Sequence, residues 1–460
     1  MSIELSSSQR TRPWTVLVVV VIAELMDLID TSVANLAGPA IRADLGGGEV
    51  TLQWVLSAYT AAFAIGLITS GRLGDLLGRR RLFLVGLTGF TLASLACGLA
   101  PGVGFLIGAR VLQGLFGSVL IPQGMALVKI VFPPHQLRRA FMPVGPIMGL
   151  ATVAGPILAG WLLHLDLFGG QWRSIFLINI PFGLLALALA LFTLPRQAGE
   201  DRAARLDVRG VLLLTAGSAL LIVPLIQGRD LGWPLWTYVV IAAGLVAFGL
   251  FVASERRSSH PVITRSLFGK RSFVVGLLIV AGFYAALSAF VLVVNLLLQS
   301  GLGWTPLDTG FALIPWAAGT AIATLLSGAV LAEKLGRSSL HLGLAIAVVG
   351  LLGLWWTVAE NGWLAPALFV TGFGTGLLFI PLFDFILGDA TPEEVGTGAG
   401  VLNAAQQFAG AIGVAALGTV FFAHVGSAGY FAAAELVFAI TAGVFLLALL
   451  LVGLLPKHAR

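Results

Sequence analysis

GRLGDLLGRRR, residues 71–81, is a short polar string set between two long apolar runs. Gly71, Gly74 and Gly78 permit a tight turn and close helix contact, because a residue without a Cβ tolerates backbone conformations closed to the others. Asp75 is placed to accept charge-assisted hydrogen bonds from a helix N-terminus or an arginine. Arg79, Arg80 and Arg81 anchor the string at a membrane surface. A basic loop alone would account for the arginines but not for the spacing of the glycines and the aspartate.

Working outward, apolar runs of about 18 to 25 residues recur along the chain, long enough to cross about 30 Å of hydrocarbon at about 1.5 Å per residue. Of 460 residues 58% are hydrophobic and 10% charged, and the mean hydropathy is +1.00. No soluble core needs so much apolar sequence, so the chain reads as an all-α polytopic membrane protein. Its 58 glycines agree, since small residues let membrane helices approach closely. The net charge of +5 is spread through short loops and forms no continuous basic face, which favours membrane topology over a nucleic-acid partner. Cys97 is the single cysteine, and no cluster suggests a metal. The first apolar run is too long and too rich in carboxylates for a cleaved signal peptide and is expected to be retained.

Breaks at charged or Gly/Pro-rich turns give about fourteen spans, near 14–40, 52–70, 82–100, 103–131, 140–164, 174–194, 210–227, 236–254, 273–300, 309–332, 340–358, 363–387, 398–424 and 430–455. Placing both termini in the cytoplasm puts 21 of the 26 Lys and Arg on that side, leaving Arg42, Arg173 and Arg229 in outer loops and Arg110 and Lys129 within the fourth span. The two longest polar loops, 195–209 and 255–271, bracket two helices, so the chain divides into 1–194 with six helices, 195–271 with two, and 272–460 with six. AEKLGRSS at 332–339 weakly repeats the 71–81 string at the corresponding place, as expected of transporters built from repeats.

Three carboxylates, Glu24, Asp27 and Asp30, lie within the first apolar run at i, i+3 and i+6, spread over about 120° of one helical face. An ionised side chain at the bilayer centre costs about 2.5–3.5 kcal/mol even on the lenient insertion scale, so each must be buried against protein, hydrated or protonated. They are candidate proton carriers. Arg110, about seven residues into the fourth span, lies within about 5 Å of the depth of Asp30. It cannot deprotonate and needs an acidic or carbonyl partner. Asn295 and Gln299, Tyr284 and Ser288, and Asn403, Gln406 and Gln407 put polar groups inside the later spans. Together with Asn35 and Gln113 they either line a substrate cavity or pair between helices. Asp384 lies near a span end, where it can snorkel.

The 71–81 string resembles the G-x-L-a-D-r-x-G-r-r loop of the major facilitator superfamily, a charge-based latch between helical halves, which would carry that role to Asp75 and Arg79. DTSVANLAGP at 30–39 resembles the D-T-T-x-x-N-x-A-L-P signature of the fourteen-helix drug:proton antiporter branch (QacA/EmrB type). RVLQGLFGS at 110–118 resembles the superfamily's R-x-x-Q-G-x-G-a-a element, with Phe116 where a small residue is usual. ATVAGPILAG at 151–160, with Gly155, Pro156 and Gly160, resembles the antiporter signature G-x-x-x-G-P-x-x-G-G. WRSIFLINIPFG at 172–183 resembles that branch's entry to its sixth helix and reads as an anchor rather than as chemistry.

The resemblance implies the major facilitator fold, with two six-helix bundles around a central cavity and two inserted helices. It implies a monomer in the bacterial cytoplasmic (inner) membrane that exports lipophilic, cationic drugs or a small amphipathic natural product in exchange for protons. A proton symporter for a small metabolite and a transport-inactive sensor or scaffold are the alternatives. No nucleotide-binding G-x-x-x-x-G-K-[ST] loop or catalytic triad occurs in the sequence, so neither an ATP-driven pump nor an enzyme is expected. No cofactor is expected beyond the proton itself.

Overall fold

An apolar segment that crosses a bilayer must close its backbone hydrogen bonds within itself, which selects helix. The computed structural model describes residues 13–46, 48–133, 136, 155, 157–158, 160–165, 171–195, 208–228, 231–257, 265–359 and 363–456. Among the described residues the chain is helical almost throughout and holds no strand.

Helix α1 (Pro13–Leu45) carries all three acids. Helix α2 (Glu49–Leu77) stops at Gly78, whose φ of +86° is a conformation suited to glycine. The Gly78 N–H returns to the Gly74 carbonyl at 3.0 Å, and α3 (Arg79–Gly98) starts on the next residue. This is the tight turn expected of residues 71–81. Helix α4 (Val103–Val131) follows. Most of the fifth expected span, Pro156 included, lies outside the described residues. Two short turns, Gln171–Arg173 and Ser174–Leu177, lead into α5 (Asn179–Thr193). Then come α6 (Val208–Gln227) and α7 (Leu235–Arg257), and α8 (Arg271–Leu296), which continues into a π turn at Leu297–Gly301. The series ends with α9 (Pro306–Ala312), α10 (Ile314–Leu326), α11 (Arg337–Ala359), α12 (Ala365–Leu387) and α13 (Pro392–Val452).

Among the described residues eleven helical segments are long and apolar enough to cross a membrane. The last of them lies within α13, whose 61 residues would reach about 92 Å if straight, three times the hydrocarbon thickness. It breaks at Gly429, at φ 86° and ψ 175°. Phe421 and Tyr430 bring their rings within 6.2 Å, against about 13.5 Å of rise between positions nine apart in a straight helix. Two helical stretches therefore fold against each other there. Helix α1 stands apart from the eleven because of its acids.

Close approach between helices rests on glycine. A Cβ at Gly114 of α4 would lie 2.4 Å from the Tyr59 carbonyl oxygen of α2. A Cβ at Gly413 of α13 would lie 2.0 Å from the Ala285 carbonyl oxygen of α8. Thr320 on α10 donates to the Gly372 carbonyl on α12 at 3.1 Å, a polar tie between helices that is strong where water is absent. One buried cluster joins α1 to α5 through Val16, Phe63, Phe83, Phe90, Leu120 and Ala186. The largest joins α8 to α13 through Phe283, Phe290, Leu344, Leu382, Phe421 and Phe438. Helix α6 packs on both groups: Ile222 and Ile226 meet Ala411 and Ala415 of α13 beside Val50 and Trp54 of α2.

The two groups also touch directly, near the end where α1 finishes. Gln53 donates to the Thr419 hydroxyl at 3.4 Å, Ser57 to the Ala411 carbonyl at 3.3 Å, and Gln299 to the Leu36 carbonyl at 2.9 Å. A Cβ at Gly160 would lie 2.6 Å from Leu307 Cα, so residue 160 also abuts the second group.

At the other end, Arg80 donates to the Leu191 carbonyl at 3.0 Å, and Arg337, after Gly336 at φ +50°, donates to those of Gly453 and Leu455 at 2.9 and 2.7 Å. Each arginine satisfies carbonyls at a helix C-terminus, where positive charge is favoured. The start of α13 is capped reciprocally by Thr391 and Glu394. Glu394 also accepts from Ser266 and pairs with Lys270. Lys270, then the Ser266 hydroxyl and the Thr391 N–H, pull the Glu394 carboxyl from 4.5 down to about 2.

Two expectations follow. Gly413→Val lowers the thermal midpoint in detergent while Gly426→Ala, with nothing within 4 Å of its Cβ, leaves or raises it; equal losses would discount helix contact at Gly413. Because the folded chain holds the Glu394 anion more tightly than the unfolded chain does, that stabilisation is complete above pH about 4.5 and fades as pH falls toward 2. The thermal midpoint of Glu394→Gln therefore lies below that of the parent at pH 6 and converges with it on acidification, and a gap independent of pH would contradict the ion pair.

Candidate functional site

The acids of α1 turn inward. Asp30 is 1% exposed and Asp27 9% exposed, whereas Glu24 is half-buried. Neither aspartate points to acyl chains.

Asp30 pairs with the Arg110 guanidinium of α4. Its Oδ1 accepts from Gln113 Nε2 at 2.7 Å and from Asn179 Nδ2 of α5 at 3.3 Å. Arg110, itself 1% exposed, donates through Nε to the Val55 carbonyl of α2 at 3.2 Å and through Nη1 to Gln113 Oε1 at 2.8 Å. Its Cζ lies 4.1 Å from the Tyr59 ring centroid, a cation–π contact inside a desolvated site. Gln113 uses its whole bonding capacity: Nε2 also donates to the Ser94 hydroxyl of α3 at 2.9 Å, and Oε1 also accepts from Cys97 Sγ at 3.6 Å. Asp27 accepts from the Tyr59 hydroxyl. Five helices thus converge on one guanidinium and two carboxylates.

The depth match expected for Asp30 and Arg110 is found as a direct ion pair. Gln113, expected either to line a cavity or to pair between helices, completes that pair. Asn179 corrects the reading of residues 172–183 as an anchor alone. Its neighbours do anchor: the Trp172 indole donates to Asp44 at 2.9 Å, Arg173 pairs with Asp44, and the two hold the Asp44 carboxyl below the usual carboxylate range. Asn179 nevertheless reaches Asp30, because the short turn at Ser174–Leu177 sets the start of α5 beside mid-α1. Tyr59 was not singled out from the sequence, where a tyrosine in an apolar run reads as packing. The signal available was its place on α2 as the one tyrosine in the first half of the chain.

Other expected residues fall elsewhere. Gly78 makes the turn and Arg80 ties α3 to α5. Arg79 is half-buried. The side chains of Asn35 and Asp75, and the surroundings of Gly71, lie outside the described residues, while Gly155 is helical. Asn295 and Gln299 do not act together: Asn295 Nδ2 turns back to Val291 of its own helix at 2.8 Å, while Gln299 crosses to α1. Four residues apart, the two would share one face of a regular α-helix, but the π turn beginning at Leu297 alters that spacing. Tyr284 packs edge-on against Phe283 at 5.2 Å and lies 6.2 Å from Phe379. Ser288 would meet a Cβ at Gly410, and Asn403 and Gln407 are half-buried on α13. Asp384 is exposed near the end of α12.

This geometry sits in a chain whose residues 20–414 match the Major Facilitator Superfamily. The chain belongs to that superfamily. Its superfamily relatives include the "Probable actinorhodin transporter" of Streptomyces coelicolor, 43% identical over 90% of this chain and 74% of that protein. Another is the "Tetracenomycin C resistance and export protein" of Streptomyces glaucescens, 32% identical over 92% of this chain and 78% of that one. Among solved structures, a POT family transporter in complex with 5-aminolevulinic acid superposes with a TM-score of 0.69 at 14% identity, covering 96% of each chain. That likeness speaks to the fold alone. Membership of the superfamily makes this chain a multi-pass membrane transporter and not an enzyme.

Gln113→Leu removes a donor to Asp30 and an acceptor from Arg110, each a bond to a charged group worth about 1.5–3 kcal/mol. Its thermal midpoint in detergent is expected to fall further than that of Ser94→Ala, which loses a neutral bond of about 1 kcal/mol; the reverse order would show that Gln113 does not hold the pair.

Proposed function

We propose that this chain is a proton-coupled antiporter of the fourteen-helix drug:proton branch, exporting a lipophilic, cationic drug or a small amphipathic natural product. The observation that carries this reading is one permanently charged guanidinium facing two buried carboxylates on α1. When both acids are ionised one negative charge lacks a counter-charge, and an unpaired charge in such surroundings is costly. A proton or a cationic substrate removes that cost, and the two exclude each other on electrostatic grounds. Competition of this kind is what antiport requires. Two relatives support the reading: one is named a probable actinorhodin transporter, which favours a small-molecule substrate, and the other a tetracenomycin C resistance and export protein, which favours outward transport.

Fourteen spans follow from the eleven apolar segments if α13 counts twice across Gly429, α1 is added, and residues 140–164 form one more. We divide the chain into 1–194, 195–271 and 272–460, a reading supported by one buried cluster held mostly among α1 to α5 and another held mostly among α8 to α13. We assign both termini to the cytoplasm of a bacterium from the charge bias of the loops, and treat the transporter as a monomer with no nucleic-acid partner. The contacts of Gln53, Ser57, Gln299 and Gly160 then close the outer end, and alternating access works by rocking that breaks them and opens that side. With access to the outer side a proton reaches Asp27 or Asp30, relaxes the hold of Arg110 and releases substrate. With access to the inner side substrate displaces the proton.

Asp30→Asn keeps the volume of the side chain and removes its titration. In proteoliposomes it is expected to abolish pH-gradient-driven efflux of ethidium while the protein stays monodisperse, and parent-like rates would refute the role. Arg110→Ala is expected to retain ethidium binding but to flatten its pH dependence; an unchanged pH profile would remove Arg110 from the coupling.

A further inference from the structure

We infer that Tyr59 is the positioning residue that couples the two buried acids, its hydroxyl holding Asp27 while its ring carries the guanidinium that holds Asp30. The inference rests on the proposed proton coupling and names the residue that makes two acids act as one unit.

Tyr59 is fully buried. Its hydroxyl donates to Asp27 Oδ1, and its ring face lies 4.1 Å from Arg110 Cζ. The same guanidinium carries the ion pair with Asp30 and a bond to the Tyr59 helix itself at Val55. The ring has little room to leave. Gly114 of α4 abuts the Tyr59 carbonyl so closely that an added Cβ would lie 2.4 Å away, and Phe63 packs at 5.9 Å between ring centroids. The titratable groups that face this assembly are Glu24, Asp27 and Asp30 from α1, Cys97 from α3 and Arg110 from α4; the turn Ser174–Leu177 adds the neutral Phe176, and α5 adds Asn179.

An ionised Asp27 fixes the phenol as a donor. When one proton arrives from solvent on an Asp27 oxygen, the carboxyl becomes neutral and can donate in turn, and the charge that held the hydroxyl is gone. The number of anions facing Arg110 drops from two to one. Since the ring and Asp30 share the same guanidinium, a shift of the ring is a shift of the Arg110 and Asp30 geometry. A space-filling tyrosine would need neither the hydroxyl contact nor the cation over its face.

Infrared difference spectra of the purified protein, titrated with pH alone, test this without a substrate. Asp27→Asn and Asp30→Asn assign the two carboxyl bands. In Tyr59→Phe, which keeps the ring and drops the hydroxyl, the midpoint of the Asp27 band is expected to move about one pH unit to higher pH, because the anion loses its donor. In the same background Asp30→Asn is expected to displace the Asp27 midpoint by less than it does when Tyr59 is present, the direct charge–charge part of the coupling remaining, and an equal displacement overturns the inference. An Asp27 midpoint unchanged in Tyr59→Phe overturns the inference while leaving the proposed function standing. If neither aspartate gives a titrating band, the proposed function and the inference fall together.

Should Tyr59→Phe not fold, the parent protein suffices, because the chain has only four tyrosines. With fluorotyrosine labelling, the Tyr59 fluorine resonance is assigned by elimination with Tyr238→Phe, Tyr284→Phe and Tyr430→Phe. It is expected to titrate with pH, and to stop doing so in Asp27→Asn. A resonance that ignores pH would show Tyr59 to be packing only.

Discussion

A guanidinium that cannot give up its proton, enclosed where water does not reach, is the constraint around which the first helical group is arranged. Arg110 has to find its solvation within the protein, and every helix of the site supplies a piece. Helix α1 provides the counter-ion, α2 a carbonyl and an aromatic face, α4 the adjacent Gln113, and α3 and α5 the groups that saturate Gln113 and Asp30. Removing one partner of such a set leaves a charge or a polar group stranded, which is why the set behaves as a unit. In the proposed cycle, conformational change therefore has to rearrange an electrostatic network as well as apolar surfaces.

Packing makes that network possible. The aromatic face of Tyr59 meets Arg110 because Gly114, four residues after the arginine, lets the α4 backbone touch α2. In the second helical group the same device recurs at Gly372 and Gly413, but there it closes helices around phenylalanines and carries no charge. Helix α6 rests on both groups: Leu214 joins the larger buried cluster, and the Leu225 carbonyl accepts from Thr419 of α13 at 2.7 Å. A helix seated across a seam must follow both sides when they move, or let go of one.

Much of this was legible in the sequence, for identifiable reasons. Span positions were readable because burial in hydrocarbon admits only helix, and charged turns mark where helices stop; the string 71–81 was readable as a turn, but not that α2 runs on to Leu77 and leaves Gly78 alone between the helices. The meeting of Asp30 and Arg110 could be inferred because a deep arginine has few partners to choose from. Asn179 and Tyr59 escaped because neutral polar groups carry no comparable obligation: an asparagine at a helix start has backbone partners at hand, and a tyrosine in an apolar run is satisfied by packing. Only the crossing of α5 and α2 over α1 reveals which of them meet a carboxylate. The split between Asn295 and Gln299 was hidden for another reason, since a π turn alters spacing without announcing itself in composition.

The charge site and the seam between the helical groups share one stretch of α2. Arg110 binds the Val55 carbonyl, and the residues two before and two after it, Gln53 and Ser57, are the ones that cross to α13. Tyr59, two residues further on, holds Asp27. On α1, Leu36 receives Gln299 about 9 Å along the helix from Asp30. In the proposed coupling, a proton that alters the hold of Arg110 acts on the very turns that close one end of the molecule, with no long chain of intermediates. The second group, by contrast, meets this seam with neutral donors and backbone carbonyls, whose bonds are weak enough to break and remake within a transport cycle. Strong, directional electrostatics on one side and individually weak neutral bonds on the other is the arrangement that lets a single charge decide which of two packings is lower in free energy.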